Sequence, residues 1–130
     1  MATEENKKIA ICTLEKINSK SVAEFDRLVD GTIAPDYVLH DPGMPNFGTG
    51  PEAVKQFMHA IIENSPDVHI VVQDVFAEGE KVAIRFTVHA TNKSSGKPEV
   101  TEVMCFSRYS DGKIVEEWQL GVQTPVLVEM

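Results

Sequence analysis

The chain has 130 residues, 42% of them hydrophobic and 25% charged, which is the size and composition of one globular domain around a single core. Twelve Lys and Arg against twenty Asp and Glu leave a net charge of -8, which argues against a nucleic-acid or anionic-membrane partner, because both need a basic surface. Two cysteines, Cys12 and Cys105, are too few for a disulfide framework. With no signal-peptide core and no apolar run near the ~18 residues of a membrane span, the expected location is cytoplasmic.

Between Thr3 and about Asn18, Ile9, Ile11, Cys12, Leu14 and Ile17 recur at helical spacing among charged residues and predict an amphipathic helix. Ser21-Val22-Ala23-Glu24 matches a capping box, and the helix it opens, with Phe25, Leu28 and Val29 on one face, should end near Asp30-Gly31. After a break at Pro35 comes a short strand, Tyr37-Val38-Leu39, that runs into His40-Asp41-Pro42-Gly43. Gly50-Pro51-Glu52 is a strong helix start. Val54, Phe57, Met58, Ile61 and Ile62 then form one apolar stripe as far as Asn64-Ser65-Pro66.

In the second half the hydrophobic period changes from 3.6 to 2. Four strands are predicted, Val68 to Ala77, Lys81 to Thr91, Glu99 to Tyr109 and Lys113 to Gln123, joined by short turns that include the hairpin signal Asp111-Gly112. The order helix, helix, strand, helix and four long strands predicts an α+β fold with its helices on one face of a curved, mainly antiparallel sheet.

The motifs of phosphoryl, hydride and serine-hydrolase chemistry are missing. His40, His59, His69 and His89 show no ligand spacing, so no metal is expected; His59 falls on the solvent side of its helix, and His69 and His89 read as surface imidazoles. Asp41, at a rigid strand end, reads either as a turn starter or as a proton-transfer group. In the last strand Glu116, Trp118 and Leu120 share one face, and Val115, Glu117, Gln119 and Gly121 the other. If the second face is inside, Glu117 is a desolvated carboxylate suited to acid/base work; if the first is, Glu117 is a solvated charge.

These motifs together, Tyr37-x-x-His40-Asp41-Pro42-Gly43, Gly50-Pro51-Glu52-Ala53-Val54, Glu78-Gly79-Glu80-Lys81-Val82-Ala83-Ile84-Arg85-Phe86 and Asp111-Gly112-Lys113-Ile114-Val115-Glu116-Glu117-Trp118, resemble the SnoaL-like polyketide cyclases. These belong to the nuclear transport factor 2-like superfamily, which also holds ketosteroid isomerase. The resemblance spans about Lys8 to Gln123. It implies one domain over residues 1–130, a cone-shaped α+β barrel with three helices on a strongly curved sheet, an apolar cavity, no cofactor, and a homodimer formed through the outer face of the sheet. It implies that Ile84, Phe86, Val88, Val103, Cys105, Glu117 and Gln119 face the cavity, and that Arg85, Thr87, His89, Phe106 and Trp118 face outward. It further implies an acid/base enzyme, a cyclase or isomerase acting alpha to a carbonyl on an apolar ring substrate. Asp41 would be the general base and Glu117 the second acid/base group. His40 and Gln119 would orient the substrate, with Phe57, Ile61, Phe86, Val88 and Cys105 gripping it. The positions of the isomerase's oxyanion donors fall near Ile17 and Cys105, and that of the cyclases' acid/base Asp near Gln119 or Gly121. The alternative expectation is a non-catalytic ligand-binding or dimeric interaction domain with a degenerate pocket.

Overall fold

A computed structural model describes residues 2–125. Helix α1 (Ala2–Glu15) tightens into a 3-10 turn (Lys16–Ser19) that ends at Lys20 in the left-handed region, φ 62°. Its inward face is Asn6, Ala10 and Ile17, and Cys12 is exposed, so the buried line lies beside the expected stripe. Helix α2 (Val22–Thr32) is capped as expected, with the Ser21 hydroxyl accepting from the Glu24 amide.

Strand β1 (Ile33–His40) follows α2 directly, so Pro35 lies inside the strand instead of breaking the chain before it. The strand tolerates it because β1 is an edge strand, and Pro35 falls where the ladder skips from Ile33↔Ile114 to Val38↔Glu116. Helix α3 (Gly50–Asn64) is followed by β2 (His69–Glu78), β3 (Lys81–Thr91), β4 (Pro98–Ser110) and β5 (Lys113–Pro125). The sheet order is β1-β5-β4-β3-β2; β1 is parallel to β5 and every other pair is antiparallel. β1 and β2 remain unpaired edges, so the sheet curls without closing into a barrel.

α1 packs on β2 and β3, α3 on β1, and α2 joins the other helices. The core is formed by Ile17, Phe25, Val29, Tyr37, Val82, Ile84, Phe86, Val103 and Tyr109, among others. The apolar stripe of α3 is less covered: only Gly50 and Ala53 are buried on that helix, while Val54, Met58, Ile61 and Ile62 are partly exposed. A helix that packed flat on the sheet would bury such a stripe; this one holds off and leaves a hollow.

Two features fix the geometry around that hollow. In β5 the register slips between Arg108↔Glu116 and Tyr109↔Ile114, which makes Val115 an extra residue and returns Ile114 to the inner face. The strict alternation read from the sequence therefore fails at Val115. The loop between β1 and α3 is held by a bridge from Val38 to Thr49, and Gly50, with φ +73°, would place a Cβ 2.8 Å from the Pro35 carbonyl oxygen. Gly50→Ala should lower stability by roughly 1–2 kcal/mol from the left-handed backbone alone, with the clash in addition. Urea unfolding measures this, and an unchanged midpoint would contradict it.

Candidate functional site: a two-chamber cavity with two carboxylates

The pleat of three strands builds the site. Paired residues on neighbouring strands share a face, so Ser107↔Glu117, Cys105↔Gln119 and Val103↔Gly121 point inward together, as do Ile84↔Cys105 and Phe86↔Val103. Leu39 pairs with Glu117, which puts Tyr37, Leu39 and Asp41 along the same side of β1. Trp118 and Leu120 then point out. The open choice between the two faces of β5 is settled with Glu117 and Gln119 inside.

These side chains line two adjoining chambers. The inner one, about 110 Å³, is walled by α1, β1 and α3 and floored by Ile84, Cys105, Ser107, Tyr109, Ile114 and Glu117. The outer one, about 440 Å³, carries Asp41, Met44, Ile61, Val88, Thr101 and Gln123. Leu14, Phe57, Met58, Phe86 and Gln119 border both. The walls are mostly apolar with a few convergent polar groups, the usual make-up of a small-molecule site.

Glu117 is the most heavily bonded group. Tyr37 donates its hydroxyl to one carboxylate oxygen at 2.6 Å, and the other accepts from Ser107 and, at 3.4 Å, from the Cys105 thiol. Burial first, and then the Glu117 charge, hold the Tyr37 phenol far above its ordinary pKa; the same two causes, in the same order, raise Tyr109 and the Cys105 thiol. These groups are neutral hydrogen-bond donors at any ordinary pH.

Asp41 is bonded more lightly. One oxygen accepts from the Gly43 amide at 2.8 Å, closing an Asx turn, and the other from the Gln119 side-chain amide at 3.0 Å. Gln119 thus connects the carboxylate of the outer chamber to the face that carries Glu117.

The expected site residues Asp41, Glu117, Phe57, Ile61, Phe86, Val88, Cys105 and Gln119 all line one chamber or both. His40 does not. Neighbours in a strand point to opposite faces, so His40 lies outside, stacked on Trp118 at 5.4 Å and paired with Glu116 at 2.7 Å. That hydrogen bond, followed by one from Arg108, lowers the Glu116 pKa. His59 is not simply solvated either, because it meets Asp26 of α2 at 2.7 Å. His69 and His89 are exposed, as expected. Tyr37, Ser107 and Tyr109 were not identified from the sequence, although alternation back from Asp41 and onward from Cys105 reaches all three. Among the described residues no cluster of His, Cys, Asp or Glu could hold a metal, and no helix is long and apolar enough to cross a membrane.

Residues 14–117 match the SnoaL-like domain family. The chain belongs to that family. No curated protein sequence matches it at a significant level. Among solved structures it is similar to IdmH of Streptomyces antibioticus, described as a candidate polyketide cyclase, at 25% identity over 89% of this chain and 91% of that one, with a TM-score of 0.75. A candidate SnoaL-like polyketide cyclase from Jannaschia, at 16% identity over 92% and 87% with a TM-score of 0.78, has the same fold. So does a candidate ketosteroid isomerase from Kribbella flavida, at 17% identity over 98% and 85% with a TM-score of 0.71. Three helices on a curled mixed sheet are thus the family's architecture.

The raised Cys105 pKa sets apart the two thiols of this SnoaL-like domain. At pH 8 a disulfide reagent should titrate one thiol per native chain, the exposed Cys12, and both only after unfolding, because the thiolate is the reactive form. Fast native labelling of Cys105 would contradict its placement.

Proposed function

We propose that this protein binds a small apolar ring compound bearing a carbonyl group and moves a proton at the carbon alpha to that carbonyl, without a cofactor. One observation carries the reading: Asp41 and Glu117 line adjoining apolar chambers that share Leu14, Phe57, Met58, Phe86 and Gln119, and Gln119, on the same face of β5 as Glu117, donates to Asp41. Asp41 takes the proton; the C–H bond electrons pass to the carbonyl, forming an enolate. The enolate then closes a ring on a second carbonyl or is reprotonated at carbon. Glu117 is the second acid/base group, Gln119 orients Asp41, and Phe57, Ile61, Phe86, Val88 and Cys105 hold the ring away from water. The family membership and the likeness to IdmH, described as a candidate cyclase, support this class of chemistry.

A second reading, a non-catalytic binder, is favoured by one specific feature. Both oxygens of Glu117 are already occupied by Tyr37, Ser107 and Cys105. Deuterium exchange at the alpha carbons of 2-tetralone in D2O, followed by NMR, separates the two. A working base speeds exchange above the buffer rate, and Asp41→Asn, which keeps the Gly43 hydrogen bond, should remove about 10²-fold or more of that acceleration. Exchange no faster than in buffer would favour the binder.

The outer face of the sheet supports a homodimer. Met104, Phe106, Leu120 and Val122 are each more than half exposed there, next to Trp118. Apolar side chains set side by side on one sheet face suit a second copy of the same face. Light scattering should give twice the 14.4 kDa chain mass, and Phe106→Glu should return the monomer. A monomeric parent at tens of micromolar would remove the dimer.

A further inference from the structure

Of the eight glycines, Gly121 alone lies inside a strand. The backbone does not require it. Its φ lies outside the left-handed region, and the register between β4 and β5 runs without a shift from Glu99↔Pro125 to Arg108↔Glu116. A Cβ added to it would meet Val103 Cγ2 at 3.4 Å, Thr101 Cγ2 at 3.5 Å and the Glu102 carbonyl oxygen at 3.6 Å, all ordinary van der Waals contacts. No turn, bulge or close backbone approach therefore explains this glycine. It has a cost, because a glycine within a strand loses more backbone entropy on folding and packs no side chain.

What the missing side chain leaves is space in the outer chamber. Gly121 points inward opposite Val103, yet it is exposed, and it lines that chamber together with Asp41 and Gln119. It is the next inward position after Gln119, about 7 Å further along β5, and the Gln119 amide donates to Asp41. We propose that Gly121 is the seat of the ligand's ring system and the residue that sets its size. A flat, fused two-ring ketone lies against the bare backbone of β5 at Gly121, with its alpha carbon beside Asp41. This deepens the function proposed above and rests on it.

The two chambers differ in what they admit. The inner one, about 110 Å³, is smaller than a cavity of ~150 Å³ that admits benzene, whereas the outer one, about 440 Å³, has room for more than one ring. To the outer chamber α3 supplies Phe57, Met58 and Ile61, and the sheet supplies Val88, Val103 and Gly121. A ligand there lies between apolar side chains and a strip of strand from which one side chain is missing, and a planar ring system suits such a slot. Any side chain at position 121 would project into the chamber and take the place of a ring. A ligand of one ring could shift aside and keep its contacts; one of two fused rings could not.

NMR titration of the full chain with 2-tetralone and cyclohexanone, ketones of two rings and one, tests the seat. In Gly121→Leu, 2-tetralone should bind roughly tenfold or more weakly and cyclohexanone within about threefold of its parent value, the scale on which a few methylenes in an apolar pocket discriminate. Gly121→Ala makes the same test in a smaller step and reads opposite signs for stability and binding. Its urea midpoint should rise while 2-tetralone binding weakens, which a glycine kept for the fold would not show. A lower midpoint in Gly121→Ala, unchanged 2-tetralone binding in Gly121→Leu, or equal loss of both ketones would overturn the seat and leave the cavity reading standing. Binding of 2-tetralone that depends on Gly121, without faster exchange at its alpha carbons, would uphold the seat and overturn the base. Binding of neither ketone to the parent would overturn the seat and the cavity reading together.

Discussion

A carboxylate placed in an apolar hollow has to be hydrogen bonded or it costs several kcal/mol. In this protein the requirement falls on Glu117, and meeting it takes two other strands. Ser107 and Cys105 come from β4, one register step apart across the antiparallel ladder. Tyr37 comes from β1, at a sequence separation of 80 residues. β1 supplies it only because it lies parallel to β5 with Leu39 opposite Glu117. A parallel neighbour cannot be reached by a hairpin, so the chain runs through α3 and three antiparallel strands before β5 closes on β1. Topology and site are the same constraint.

The pleat that turns Glu117 and Gln119 inward turns Trp118 and Leu120 outward, and the cavity and the apolar outer face are two sides of one alternation. The inner side is not packed to the density a core would reach. The stripe on α3 stays partly uncovered, and Phe57 meets Phe47 edge to face at 5.4 Å above the hollow instead of filling it. Unfilled volume and a Tyr109 hydroxyl without a partner among the described residues both reduce stability.

Elements with local signals were legible in the sequence. Gly50-Pro51 fixes the start of α3, Asp111-Gly112 the last hairpin, and Ser21 with Glu24 the start of α2. What depends on partners far along the chain was not. Pro35 reads as a break until β1 is known to be an edge strand. The face of β5 is undecidable from β5 alone, because either alternative is a sound amphipathic strand, and the decision comes from donors on β1 and β4. His40 is a different case: it is adjacent to Asp41, yet strand alternation places adjacent residues on opposite faces, and the histidine was set beside the aspartate against that rule. Ser107 and Tyr109 follow from Cys105 by the same rule.

The two carboxylates differ in ways that suit different duties under the proposed reaction. Asp41 closes a turn at the end of β1, partly exposed, with one backbone and one amide donor. A base there can reach a ligand in the outer chamber and still return its proton to water. Glu117 is fixed by three side-chain donors deeper in the funnel, so any proton it takes or gives must be accompanied by a shift of Tyr37, Ser107 or Cys105. A cluster that must move together is a poor first base. It suits a second group, held in place by the donors around it.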